Sequence, residues 1–250
     1  MTNRVKEQIL LSWKQCYEQK IDKEINRITK RVNTGELEKI KRKNKTLIEL
    51  FNREVDNLLE KYSVKNSVFL LTDRDMVLIS KRENLADDYS VKVRGGDCFS
   101  EKSCGTNAIS LAEEIGEEVY LTGDDHYCYL FQDLGCIAAP IKFNKKIIGF
   151  LDFSVFKRKI RERDKMLFNL LYKSIKLEIN NLFIRDEKID LNEKEKNILK
   201  LTAKGYTIEE TSEKLELAYS TVTYYRKMIC DKLGAENITH AVAKGLKNGL

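Results

Sequence analysis

Apolar positions recur at helical spacing over the first quarter of the chain. Ile9, Leu10 and Trp13 share one face, and Leu47, Ile48, Leu50, Phe51, Val55, Leu58 and Leu59 form a second, stronger one. Residues 3 to about 62 are therefore expected to be helical, with Asn33, Thr34 and Gly35 as the break. From Ser67 the period changes: Ser67–Thr72 is an apolar run of strand length, Asp73–Asp75 a turn, and Met76–Ser80 the expected partner strand. A short helix is expected over Gly105–Glu114, closed by Gly116, then a strand over Glu118–Thr122 and a helix over His126–Leu134 that ends at Gly135. Cys136–Phe143 and Lys146–Phe156 read as an apolar hairpin turning at Asn144 and Lys145. Helical spacing returns over residues 158–186, where Phe168, Leu171, Ile175, Ile179 and Leu182 recur every three or four positions. That stripe suits a helix packed on its own domain. It equally suits a two-helix dimer seam that links domains, because Leu167, Leu170 and Leu177 supply a second apolar edge.

The last 60 residues carry the densest local signals. Asn192 with Glu195, and Thr207 with Glu210, are capping-box pairs that open two helices. Gly205 is placed to end the first of these, and Gly234 to end a third that runs from Tyr219 to Leu233. Asn237 or Thr239 can cap a last helix through Val242. Two short helices joined by a tight turn, the second longer and basic, have the geometry of a helix-turn-helix, which offers its second helix to the DNA major groove. On that helix Val222, Ile229 and Leu233 face inward by spacing, leaving Thr223, Tyr224, Arg226 and Lys227 on or near the outer face.

Composition narrows the function classes. The chain has 250 residues, 42% hydrophobic and 34% charged, with one proline, Pro140, so no low-complexity linker is visible. No apolar run approaches the roughly 20 residues that span a bilayer, and residues 1–14 show no signal-peptide core, so no membrane is expected and the cytoplasm is the expected address. The net charge of +6 suits a nucleic-acid partner without demanding one. From Asp190 to Leu250 ten Lys and Arg stand against nine Asp and Glu, or +1, so placement rather than net charge has to make the case for DNA. With two histidines, no Ser-His-Asp order and no nucleotide loop, an enzyme is not expected.

The stretch from Leu191 to Gly245 resembles the LuxR/GerE-type DNA-binding domain along its whole length. The resemblance is carried by Leu191, Glu195, Leu199, Gly205, Glu210, Leu215, Thr221, Val222, Lys232, Leu233, Gly234, Ala241 and Val242. It implies that Thr223, Tyr224 and Lys227 meet double-stranded DNA, with Arg226 and Thr221 near the backbone. Thr223 and Tyr225 stand where the family has Lys and His, Thr211 and Ser212 where it has Ile and Ala, and Ala218 where it has a Ser cap, so base preference does not carry over. The middle of the chain, in "FSEKSCGTNAISLAEE", "VYLTGDDHY" and "CIAAPIKFNKKIIGFLDFS", resembles the GAF domain that opens AcoR-like activators of the NtrC class. Gly105 to Ala108, His126, Cys136, Ala139 to Ile141, Gly149 and Asp152 carry that likeness. Such activators continue into an ATPase, and no Gly-x-x-x-x-Gly-Lys-[Ser/Thr] loop is present here, so this chain is expected to contact or block RNA polymerase passively rather than by hydrolysing ATP.

The resulting expectation is an α+β protein with N-terminal helices at 1–62 and a GAF-like sensor with an antiparallel sheet at 63–157. A linker or dimerisation helix at 158–187 and an all-α four-helix head at 188–250 complete it. As a whole it reads as a homodimeric transcription regulator with a small-molecule effector between sheet and helices. The alternative is a redox or metal sensor on the same output head. Cys98, Cys104, Cys128 and Cys136, with His126, are the candidates for a metal, an iron–sulfur cluster or a thiol switch. Their spacing contains no Cys-x-x-Cys. The bland readings, a hydrogen-bonded His126 and cysteines as buried hydrophobes, stand beside it.

Overall fold

Strands that are apolar on both faces form a sheet that needs cover on both sides. The computed structural model, which describes residues 3–86, 92–186 and 191–247, shows where the cover comes from. The chain opens with α1 (Asn3–Glu18), α2 (Thr34–Lys43) and α3 (Lys45–Tyr62). There follow β1 (Ser67–Asp73), β2 (Leu78–Asn84), α4 (Glu101–Cys104), α5 (Ala108–Ile115), β3 (Val119–Thr122), β4 (Leu134–Phe143), β5 (Lys146–Phe156) and the long α6 (Glu162–Asp186). Among the described residues the five strands make one antiparallel sheet in the order β2-β1-β5-β4-β3.

Successive strand residues serve opposite cores, as the period of two requires. Leu151, Phe153 and Val155 of β5 pack with Phe51 and Val55 of α3 and with Phe168 and Ile175 of α6. Phe150, one step out of phase, joins Val68 and Leu70 of β1 and Ile109 and Leu111 of α5 in a second core. Asp152 and Ser154 are in phase with Phe150 and share its face. Gly149 is needed where β5 runs beside β1, because a Cβ there would collide with the Thr72 carbonyl oxygen. On α6 the expected stripe of Phe168, Leu171, Ile175 and Ile179 is buried, while Met166, Leu170 and Leu177 are exposed. Leu167, expected on the second edge, is buried, and the side chain of Leu182 lies outside the described residues.

Several local expectations are corrected. Residues 19–33 are not helical: Thr29 N–H donates to Ser103 O and Val32 N–H to Gly96 O, so tertiary partners replace the helical ladder. The expected partner of β1 is present with other bounds: it starts at Leu78 rather than Met76 and runs on past Ser80 through polar residues to Asn84. Helix α5 begins at Ala108, capped by Asn107 with Ser110 in reciprocal bonds, because Gly105 takes φ +69° and cannot continue a right-handed helix. The segment from His126 to Leu134 contains only a short 3-10 turn at Tyr129–Phe131, and β4 has begun by Leu134. The hairpin turn at Asn144 and Lys145 stands as expected, with φ of +47° and +64°.

The chain divides into two compact units, Met1–Ile179 and Asn180–Leu250. The second contains α7 (Glu193–Ala203), α8 (Ile208–Leu215), α9 (Tyr219–Leu233) and α10 (Ile238–Lys247) around Leu191, Ile198, Leu199, Val222, Ile229, Leu233 and Ala241. Both predicted capping boxes are formed, Gly205 and Gly234 take positive φ, and Asn237 caps α10 through His240 N–H. The architecture is α+β, with an all-α C-terminal unit. No described helix is long and apolar enough to cross a membrane.

Candidate nucleic-acid interface and internal cavity

Two features of α9 make it a candidate interface. Its inner side is anchored by Val222, Ile229 and Leu233, all buried. Its outer side presents Ser220, Thr223, Tyr224 and Lys227, all exposed and spaced three, one and three residues apart, which is one stripe of a helix. Thr221 and Arg226, also expected near DNA, flank that stripe half-buried. Tyr224 is 60% exposed and rests edge-on against Tyr225, which packs on the unit's core, so one tyrosine supports the other. Among the described residues neither Arg226 nor Lys227 makes an ion pair, so both charges are available to phosphates. The amino end of α9 adds two residues that the sequence reading left out, Tyr219 and Ser220, both exposed. Ala218 occupies the cap position and offers no side-chain acceptor; the N–H groups of Thr221 and Val222 donate to Ala218 O, and those of Tyr219 and Ser220 have no side-chain cap. The signal for these two was their place in the first turn.

The head is fixed in shape by one buried carboxylate. Glu195 is 2% exposed; it accepts from Asn192 N–H at 2.8 Å and from Lys232 Nζ at 2.7 Å, tying the start of α7 to the end of α9. Several hallmarks of the sequence resemblance are thus explained as structure rather than as contacts to DNA.

In the first unit, β1, β4 and β5, the start of α5 and the segment around His126 enclose a cavity. Its lining includes Val68, Leu70, Phe99, Ile109 and Phe131, with Asn107, His126, Cys136, Asp152 and Ser154 as polar groups, and every lining residue is buried. About 20 Å³ is open to the centre of a water-sized sphere, somewhat more than one water needs. Beside it lies a wider cleft of about 300 Å³ that shares Val93, Phe131 and Leu134 with the cavity, so those three side chains form the partition.

The polar groups of the cavity are chemically distinct. His126 Nδ1 lies 3.0 Å from Gly123 O; a carbonyl only accepts, so Nδ1 carries the proton and Nε2 is a bare acceptor. Burial pulls the imidazole down to about 4 despite that bond, so the ring is neutral near pH 7. Nε2 has no hydrogen-bond partner. Burial pushes the Asp152 carboxyl up to about 7, partly offset by the Ser154 hydroxyl, which donates to Oδ1 at 2.7 Å. Ser154 Oγ also lies 3.1 Å from Cys136 Sγ. Asp152 was legible as a charge inside an apolar strand, yet only its phase with Phe150 places it in the cavity.

Of the candidate cysteines, Cys104 lies within electrostatic reach of Cys98 and Cys128, and of Cys16, while Cys136 is placed in the cavity. Cys136 lines the cavity, Cys128 packs with Cys16 and Tyr127, Cys104 sits under Asn107, and Cys98 is half-exposed beside Ser100. Burial pushes the Cys128 thiol up to about 12 and raises Cys104 and Cys136 well above the ordinary thiol range, which disfavours the thiolates that metals and redox switches use. Among the described residues no three His, Cys, Asp or Glu side chains are grouped to hold a metal ion.

Known proteins match both units. The model for bacterial regulatory proteins of the luxR family covers residues 190–244, and that for the MimR N-terminal domain covers residues 52–181. The acetoin dehydrogenase operon transcriptional activator AcoR of Bacillus subtilis (strain 168) is 26% identical over 155 residues, 60% of this chain and 26% of that protein. The propane 2-monooxygenase operon transcriptional activator MimR of Mycolicibacterium goodii is 31% identical over 90 residues, 35% of this chain and 15% of that protein. The chain thus matches about a quarter or less of each relative's length. A crystal structure of the E. coli DhaR(N)–DhaL complex shares the fold, with a TM-score of 0.62 at 17% identity over 70% of this chain and 61% of that one.

Proposed function

Because this chain belongs to the MimR N-terminal domain family and carries a luxR-family head, we propose that it is a transcription regulator that binds double-stranded DNA through α9 under the control of a small molecule held in the first unit. The observation that carries the reading is the stripe of Ser220, Thr223, Tyr224 and Lys227, exposed on a helix whose opposite side is anchored in the head's core. Placed in the major groove, Lys227 and Arg226 neutralise phosphates, Tyr224 and Thr223 meet base edges or thymine methyls, and Thr221 lies near the backbone. Two heads on one homodimer read half-sites about one helical turn, roughly 34 Å, apart. The exposed edge of Met166, Leu170 and Leu177 on α6 supports self-association. The relatives are named as activators of the acetoin dehydrogenase and propane 2-monooxygenase operons, which supports a catabolic signal.

Selection from a pool of random-sequence duplexes tests it directly. An inverted-repeat motif is expected to be enriched, with binding that weakens steeply as salt rises. Failure to retain any duplex at low salt would falsify the reading.

A further inference from the structure

Building on the sensor role proposed above, we infer that the internal cavity takes a short, uncharged molecule bearing a hydroxyl group, which donates its proton to His126 Nε2. Four observations meet here. Nε2 is a buried acceptor without a partner, on a residue 1% exposed. The Nδ1 proton is committed to Gly123 O, so the ring can only accept at Nε2, and a carbonyl or ether cannot satisfy it. The rest of the lining is dominated by Val68, Leu70, Phe99 and Ile109, which suits an alkyl remainder. The space open to a water's centre exceeds what one water needs, so an occupant larger than water fits.

Size and charge set the other limits. The space open to a water's centre, extended by the radius of a water, accommodates on the order of 100 Å³, or about four or five non-hydrogen atoms. No lysine or arginine lines the cavity, so an anion has nothing to pair with. Asp152, with Oδ1 already taken by Ser154, stands ready for a second polar group on the ligand. The neighbouring cleft shares Phe131 with the cavity, and that ring lies against the His126 ring at 5.8 Å between centroids.

The full chain with ¹⁵N-labelled histidine allows a direct test, because it contains only two histidines, His126 and His240. Three probes of matched size are titrated: 2-butanol, 2-butanone and propionate. The expected result is a saturable shift of the His126 Nε2 resonance with 2-butanol, and binding of the ketone and the carboxylate at least tenfold weaker. His126→Phe is expected to lose the preference for the alcohol over the ketone. His126→Gln, which restores an acceptor, is expected to recover part of it; the wild-type titration decides the matter alone should neither variant fold. Equal saturation by 2-butanone overturns the inference, and so does a His126 resonance that none of the three moves, the mark of a cavity that holds only water. DNA retention by the same samples is read in parallel. Retained DNA binding without an alcohol response sinks only the ligand assignment, whereas absent DNA binding strikes the regulator reading instead.

Discussion

His126 and Asp152 face one cavity and titrate in opposite senses, which gives each a separate signature in stability. Between about pH 4 and 7 the folded chain keeps the Asp152 proton that the unfolded chain releases, so this group's contribution to stability falls as pH rises through that window. Below its ordinary value of 6.5 the unfolded chain takes up a proton at His126 that the folded one refuses until about 4, so that contribution falls as pH drops. Asp152→Asn is therefore expected to gain stability relative to the parent progressively from pH 4 to 7. His126→Phe is expected to gain from 6.5 down to 4. Urea unfolding followed by Trp13, the single tryptophan, reads the first unit, since that indole packs against Tyr127 at 5.5 Å. A difference of the opposite sign in either variant contradicts the assigned shift. In the second unit Glu195 is the decisive residue. Glu195→Ala removes a cap bond and a mostly buried ion pair, and a loss of about 2 kcal/mol is expected in the urea unfolding of that unit by circular dichroism. A change within a few tenths of a kcal/mol would show the pair to be ornamental.

At the scale of elements, α9 combines a well-packed inner side with an amino end that lacks a side-chain cap. Ala218→Ser supplies the missing acceptor, and a gain of about 0.5 to 1 kcal/mol in the head's unfolding free energy is expected. The same helix sets the interface prediction. Lys227→Ala is expected to lower affinity for a selected duplex about tenfold and to reduce the salt slope by about one, because one phosphate contact is lost. An unchanged slope, measured by anisotropy across salt concentrations, removes Lys227 from the interface. Helices α7 and α8 were legible in advance because their start signals join residues three apart, Asn192 with Glu195 and Thr207 with Glu210. The segment after His126 was not legible. Tyr127 N–H donates to Thr106 O and Tyr129 N–H to Lys23 O, partners 21 and 106 residues away, so no local pattern announced that the chain would leave the helix.

For the whole molecule, α6 covers one face of the sheet with Phe168, Leu171, Ile175 and Ile179 and leaves Met166, Leu170 and Leu177 exposed. Exposed apolar residues in a row favour association with a like surface. The double variant Leu170→Glu with Leu177→Glu is expected to sediment as a monomer while melting at the parent's temperature. An unchanged sedimentation coefficient would place the contact elsewhere.

Most of the helices and strands, the helical C-terminal head and the inner and outer sides of α9 were legible in the sequence alone. Each rests on periodicity or on a cap that closes within one helical turn. Tertiary structure decided the cavity. Five elements spread between β1 and β5 had to assemble before a charge in an apolar strand became the buried carboxyl of Asp152, and before the second nitrogen of His126 was sealed away from water. Burial and unmet hydrogen-bonding capacity are properties of what surrounds a group, and the chain supplies those surroundings only when it is folded.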